Sequence, residues 1–333
     1  MNVLIMYNPK AGRHKGHIHA DKLERALERL GDMTVSIHAT QSILGMKEFF
    51  EMYKMSRAEL ADLNDPSRFD RLVIIGGDGT VGPIVDSLVK HHIDIPIYCY
   101  GRGTANDFAT FFKTNCGPRR AARMIKYSAL LTDADKLKSR ADNVAMVDTI
   151  LVNGEHACNV ACGGAFTNGV TAYHKKGKKL LGKFSYFFQA FLKSFRLESQ
   201  TMRFTVDGKT FEEEIFLFYV LNTRNVGGLK NSSPLSDVQD GVLDLLCVKK
   251  CGFFGKMSLA LYYTFGIMHR CPHIVHRQGK VFRIEHAPHE KVKHNFTLAD
   301  IDGNPAGPYP LDVTIGPRIA IVHNNNKIAS ANK

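Results

Sequence analysis

A chain of 333 residues that is 44% hydrophobic has room for two packed domains. Its 44 basic and 32 acidic residues give a formal net charge of +12, which favours anionic partners: ATP, nucleic acid or an anionic membrane surface. The N-terminus MNVLIMYNPK lacks a basic region and a small-residue cleavage site, no apolar run reaches about 18 residues, and the 7 scattered cysteines match no zinc spacing. The expected setting is cytoplasmic, with no signal peptide, spanning helix, disulfide or zinc.

Residues 1 to about 130 alternate apolar runs with helical patterns. Strands are expected near 3–7, 33–38, 71–75 and 95–99, and helices near 17–30, 43–55, 81–91 and 105–113, with a polar insertion over 56–69. That is a doubly wound α/β pattern. From about 145 the pattern becomes mostly strands, near 146–152, 156–162, 200–206, 213–222, 242–249, 280–285, 294–300 and 311–315, with helices near 180–195 and 254–268. This reads as a β-sandwich interrupted by helices. The tail from Asn324 (NNNKIASANK) reads as disordered.

Three polar, glycine-containing loops each follow a strand. Gly76-Gly77-Asp78-Gly79-Thr80 follows Leu72-Val73-Ile74-Ile75. Gly103-Thr104-Ala105-Asn106-Asp107-Phe108 follows the run that ends at Tyr100, and Asn8-Pro9-Lys10-Ala11-Gly12 follows the first strand. Glycines let backbone N–H groups approach phosphates closely. An acid in the same loop repels a bare polyphosphate and makes sense with a divalent cation between them. In an open parallel sheet, the carboxyl edge of the strands is where ligands bind.

Together these loops resemble the diacylglycerol kinase catalytic-domain family in its bacterial lipid-kinase form. Related loops occur in NAD kinases and phosphofructokinases. The resemblance continues through Asp148 to Asn159 (DTILVNGEHACN), Asn222 with Gly227-Gly228, Pro234 to Asp244 (PLSDVQDGVLD), and Ile301-Asp302-Gly303. It implies an α/β nucleotide-binding domain over 1–140 and 317–326, whose last strand, near 318–323, returns to it. A β-sandwich lipid-substrate domain over 141–316 and a tail over 327–333 complete the chain. ATP and Mg²⁺ are the implied cofactors, with Asn8, Pro9, Lys10, Ala11, Gly12, Thr40, Gly76, Gly77, Asp78, Gly79, Thr80, Gly103, Thr104 and Asn106 around the nucleotide and Arg13 and Arg102 as nearby cations. Asp78, Asp107 and Asp148 would surround Mg²⁺. A second, structural Mg²⁺ would take the Asp240 side chain with main-chain oxygens at Asp237 and Val242; the alternative there is an Asp-Gly turn between strands.

The implied activity is transfer of the ATP γ-phosphate to a hydroxyl of diacylglycerol or a related membrane lipid, by a protein that touches the membrane peripherally and forms a homodimer. The basic run His174 to Lys179 is expected to meet lipid headgroups, and the stripe Phe184, Phe187, Phe188, Phe191, Leu192 and Phe195 to pack in the second domain's core. No recognition-helix or aromatic strand motif supports nucleic-acid binding. The chain departs from the family at its base. Where the family carries Asp-Gly-Glu, this chain has Asp302-Gly303-Asn304, and an amide takes no proton at neutral pH. After Thr80 it has Val81-Gly82-Pro83 in place of an apolar residue with Asn-Glu, and Gly101 stands where the family has proline. Three readings follow: Asp300 or Asp302 serves as base through water or a shifted loop, transfer to the alcohol is slow, or the protein binds nucleotide or lipid without chemistry. An NAD kinase-like phosphotransferase is a lesser alternative.

Overall fold

The chain folds as two units: Met1–Thr149 with His156–Cys158 and Gly316–Lys333, and Ile150–Glu155 with Asn159–Ile315. The computed structural model describes residues 1–40, 49, 69–128, 143–165, 198–228, 233–265, 267–288 and 290–324. Apart from Phe49 and Phe69, the expected helix at 43–55 and the polar insertion lie outside the described residues, as do the basic run, the aromatic stripe and the tail beyond Asn324.

The first unit is built on strands β1 (Asn2–Tyr7), β2 (Thr34–Ala39), β3 (Arg71–Gly76), β4 (Ile97–Gly101) and the end of the last strand, β15 (Leu311–Val322). Their order is β2-β1-β3-β4-β15, and all these neighbours are parallel. Every residue of β3 and β4 is buried, as expected of parallel strands covered on both faces. Alternation puts Val3, Ile5, Val73, Ile75, Tyr98 and Tyr100 in one cluster with Ala20, Leu23 and Leu27, and with Ala121, Ala122 and Ile125. The first set of partners comes from α2 (Gly16–Glu28), which follows the single turn α1 (Ala11–His14). Burying each large aliphatic side chain contributes about 1.5–3 kcal/mol. Two further helices follow the glycine loops: α3 (Asp78–Lys90) and the short α4 (Asp107–Phe111). α3 starts at Asp78, so Gly79 and Thr80 lie in its first turn rather than before it. The second set of partners comes from α5 (Pro118–Lys126), a helix absent from the sequence reading. Its signal was there in Pro118 at the first turn, a position that proline favours, and in the pair Ala121-Ala122 with Met124 and Ile125, all buried.

The second unit is a β domain. Strands β5 (Val144–Val152) and β6 (Glu155–Ala157), most of whose residues belong to the first unit, pair with each other and lead into β7 (Val160–Gly164) of the second. The single strand expected over 156–162 is therefore broken at Cys158-Asn159. β8 (Gln200–Val206) and β9 (Lys209–Leu221) form a hairpin around Asp207-Gly208, both at positive φ, as a tight two-residue turn requires. β9 is long enough to serve two sets of partners. Its first half pairs with β8, and its second half lies between β7 and β10 (Leu243–Lys249). α6 (Phe253–Thr264) follows, then β11 (Ile274–Gly279) on β10 and β12 (Val281–His286) between β8 and β15. Residues 294–300, expected as a strand, start instead as a 3-10 turn at His294–Phe296. The ladder resumes in β13 (Ala299–Ile301), which forms a hairpin with β14 (Asn304–Gly307). The two strands expected over 311–323 are the single strand β15.

Candidate functional site

Between β1 and β3 the chain changes direction, with β2 laid on one side of β1 and β3 and β4 on the other. At such a switch point the connections diverge and leave a crevice at the carboxyl ends of the strands. Two of the glycine loops end β1 and β3 at this point, and the third ends β4 beside them. Backbone bonds hold the three together: Asn8 N–H donates to Ile75 O (2.9 Å), Arg102 N–H to Gly76 O (2.7 Å), and Gly12 N–H to Arg102 O (2.7 Å). Asn8 adds Nδ2 to Thr80 Oγ1 at 3.1 Å, and its Oδ1 accepts Lys10 N–H at 2.9 Å.

The loops after β3 and β4 are locked by Asp78. Its Oδ2 accepts the Asp107 N–H and its Oδ1 the Phe108 N–H, each at 3.1 Å, so both oxygens serve the first turn of α4. Burial raises the Asp78 carboxyl above its ordinary range, and hydrogen bonds from Phe108, Asp107 and neighbouring backbone groups oppose that rise. Asn106, in the left-handed region at φ 54, accepts Gly103 N–H on Oδ1 (2.6 Å) and returns Nδ2 to Gly103 O (3.0 Å). Gly77 and Gly103 pass back to back; a Cβ on Gly103 would overlap the Gly77 Cα. At Gly101, where the resemblance expects proline, added atoms would run into Asn115 and Ala109.

This arrangement suits phosphate. Gly79, Gly103 and Thr104 are exposed beside the N-terminus of the 13-residue α3, where unpaired N–H groups and the helix dipole favour anions. Lys10 is exposed at the start of α1. Thr40, nearly buried, donates its hydroxyl to Tyr7 O at 3.2 Å. The Arg102 side chain is anchored on its own side of the loops. Its guanidinium donates to the carbonyls of Gly101 (2.7 Å) and Cys116 (3.2 Å) and lies 3.7 Å from the Tyr100 ring centroid. His19 of α2 was missed in the sequence. It lies against Gly12, and burial and then the Arg102 charge lower its pKa. A histidine at helical spacing gave no signal of that contact.

The three carboxylates expected around Mg²⁺ do not gather. Asp78 turns both oxygens to backbone N–H groups, and buried Asp148 accepts Arg318 Nε at 2.7 Å. Asp107 is buried at the start of α4. Among the described residues no three His, Cys, Asp or Glu side chains form a group that could hold a metal ion. These residues do not fit a carboxylate cage for the cation.

In the second unit, Asp237 and Asp240 each fold back on the N–H two residues ahead, Gln239 at 3.1 Å and Val242 at 3.0 Å, as in Asx turns. Asp302 and Gly303 form the tip of the β13–β14 hairpin at φ 50 and 86. The Asp302 Oδ1 accepts the N–H groups of Asn159 (3.1 Å) and Val160 (2.9 Å), tying the tip to the start of β7. The pairing Ile301 with Asn304 and Asp300 with Pro305 puts Asn304 on the face of Ile301 and Asp300 on the other. Asp300 lies across from Cys162 and accepts Gly303 N–H at 2.7 Å, and burial raises its pKa to about 6.

Residues 2–138 match the model of the diacylglycerol kinase catalytic domain, and residues 164–323 match that of the YegS C-terminal NAD kinase beta sandwich-like domain. The chain belongs to the diacylglycerol kinase catalytic-domain family. It is 29% identical over 307 residues to the diacylglycerol kinase of Bacillus subtilis, covering 92% of this chain and 90% of that one. To the diacylglycerol kinase of Staphylococcus carnosus it is 24% identical over 282 residues, 84% of this chain and 83% of the other. A crystal structure of a diacylglycerol kinase from Bacillus anthracis shares the fold at a TM-score of 0.69, with 22% identity over 97% of this chain and 96% of that one. In this diacylglycerol kinase-family chain the nucleotide-type loops are intact, while position 304, where the resemblance places the base, holds an amide.

Proposed function

We propose that the chain is an ATP-dependent lipid kinase that transfers the γ-phosphate to a hydroxyl of diacylglycerol or a related membrane lipid alcohol, and does so slowly. The observation that carries this reading is the pair of glycine loops locked by Asp78 and Asn106 at the β1–β3 switch point. The loops offer preorganised N–H donors to phosphate oxygens, and phosphoryl transfer depends mostly on such positioning and charge stabilisation. Slowness follows from the acceptor side. Asn304 takes no proton, Asp302 gives one oxygen to two backbone N–H groups, and Asp300 points to the opposite hairpin face. Lack of a general base costs about 10²–10⁴ in rate.

The test is transfer of labelled phosphate from Mg-ATP to a lipid extract, with wild type and Asn304→Glu side by side. Slow labelling by the wild type and faster labelling by the variant supports the reading. Label from the variant alone supports a second reading, nucleotide and lipid binding without chemistry, which Asn304 itself favours. Label on NAD in a parallel reaction, with none on lipid, would replace the lipid acceptor by a dinucleotide. Absence of ATP binding refutes every version.

A further inference from the structure

α6 carries its apolar side chains outward. Phe253, Phe254, Met257, Leu261 and Phe265 are 52, 85, 39, 55 and 72% exposed. At about 100° per residue these five positions fall within about 120° of the helix circumference. Gly255, the one buried residue of the helix, lies on the far side, against Cys251 and His273. A helix that buries a glycine and exposes three phenylalanines has its packing face reversed relative to a core helix.

Along the chain, the segments that flank it carry charge of one sign. From Leu245 to Ile284 the sequence has no Asp or Glu and 7 Lys or Arg. Lys249 and Lys250 precede α6, Lys256 sits in its first turns and Arg270 follows. Lys256 lies 5.0 Å from the Phe216 ring centroid, and Lys250 meets Glu214 of β9 at 2.9 Å. Aromatic and leucine side chains on one helix face beside lysines and arginines are the composition of helices that lie in a membrane interface. A self-complementary contact between two copies would set this basic surface against itself. An anionic bilayer meets both features.

We propose that α6 is a membrane-docking element, its Phe and Leu face entering the headgroup–acyl boundary of an anionic bilayer while Lys249, Lys256 and Arg270 meet lipid phosphates. This deepens the lipid-kinase reading and rests on it for the acceptor's location alone, because docking needs neither nucleotide nor catalysis.

The chain contains no tryptophan, so Phe254→Trp supplies its sole indole. With vesicles of mixed phosphatidylcholine and phosphatidylglycerol and no nucleotide, its emission shifts to the blue and is quenched by brominated acyl chains. Phe254→Ser with Leu261→Ser, both exposed and so compatible with folding, retains the melting temperature and weakens vesicle co-sedimentation about ten-fold or more per side chain. Lys249→Gln with Arg270→Gln removes the preference for the mixed vesicles over phosphatidylcholine alone. Co-sedimentation with unchanged indole emission overturns the proposal. So does a wild-type dimer that becomes monomeric in the serine variant while vesicle binding is unaltered. Phosphate transfer to a detergent-dispersed acceptor separates the two readings. Docking without transfer in any variant refutes the kinase and leaves α6 as proposed, and transfer without docking does the reverse.

Discussion

Asp78→Ala distinguishes a carboxylate that clamps two loops from one that holds a cation. The substitution removes the acceptors of the Asp107 and Phe108 N–H groups, two hydrogen bonds of 3.1 Å to a charged oxygen. Hydrogen bonds to charged groups contribute about 1.5–3 kcal/mol each. Burial of Asp78, which raises its pKa, sets a desolvation cost against that sum, and alanine relieves it. The net expectation is a loss of roughly 2–4 kcal/mol, with two buried N–H groups left without acceptors. Urea unfolding measures this directly. Calorimetric titration with ATP then supplies the functional half: released from α3, the loop at Gly103 loses its position, and affinity falls equally with and without Mg²⁺. Stability within about 0.5 kcal/mol of wild type, with affinity lost only when Mg²⁺ is present, would refute the clamp and restore Asp78 as a cation ligand.

Two further perturbations test the local geometry. Gly103→Ala forces a Cβ into the Gly77 backbone and is expected to cost about 1–3 kcal/mol and most of the ATP affinity, whereas Gly117→Ala, with nothing near its added atom, leaves both unchanged. Asp300 has a folded pKa of about 6, above its ordinary 3.8, so its contribution to stability is full below about 4 and is lost as pH rises through about 6. Asp300→Asn flattens that window and raises stability at neutral pH by an amount on the order of 2–3 kcal/mol; a pH series of unfolding curves that keeps the wild-type slope would refute it.

Much of the α/β unit was legible because β1, β3 and β4 are mostly apolar and end in glycine loops. Leu72 to Ile75 running into Gly76-Gly77-Asp78 states both a buried parallel strand and a phosphate-type turn. The second unit was less legible. Its strands β13 and β14 are only 3 and 4 residues long, and the expected strand over 294–300 begins with a 3-10 turn that breaks any period-2 signal. Asp302 could be read as a motif residue but not as the acceptor for Asn159 and Val160, which lie 143 and 142 residues away in sequence.

What the sequence determined by itself is the family, the order of the strands in the first unit, and the amide at position 304, since each is a matter of residue type and short-range period. The tertiary structure alone decided the use of each carboxylate. Asp78, Asp148 and Asp302 look alike along the chain, yet one accepts two N–H groups of the neighbouring loop, one accepts Arg318, and one pins a hairpin tip. It also decided that α6 faces outward, because the apolar period of a helix marks a face without saying whether protein or lipid covers it.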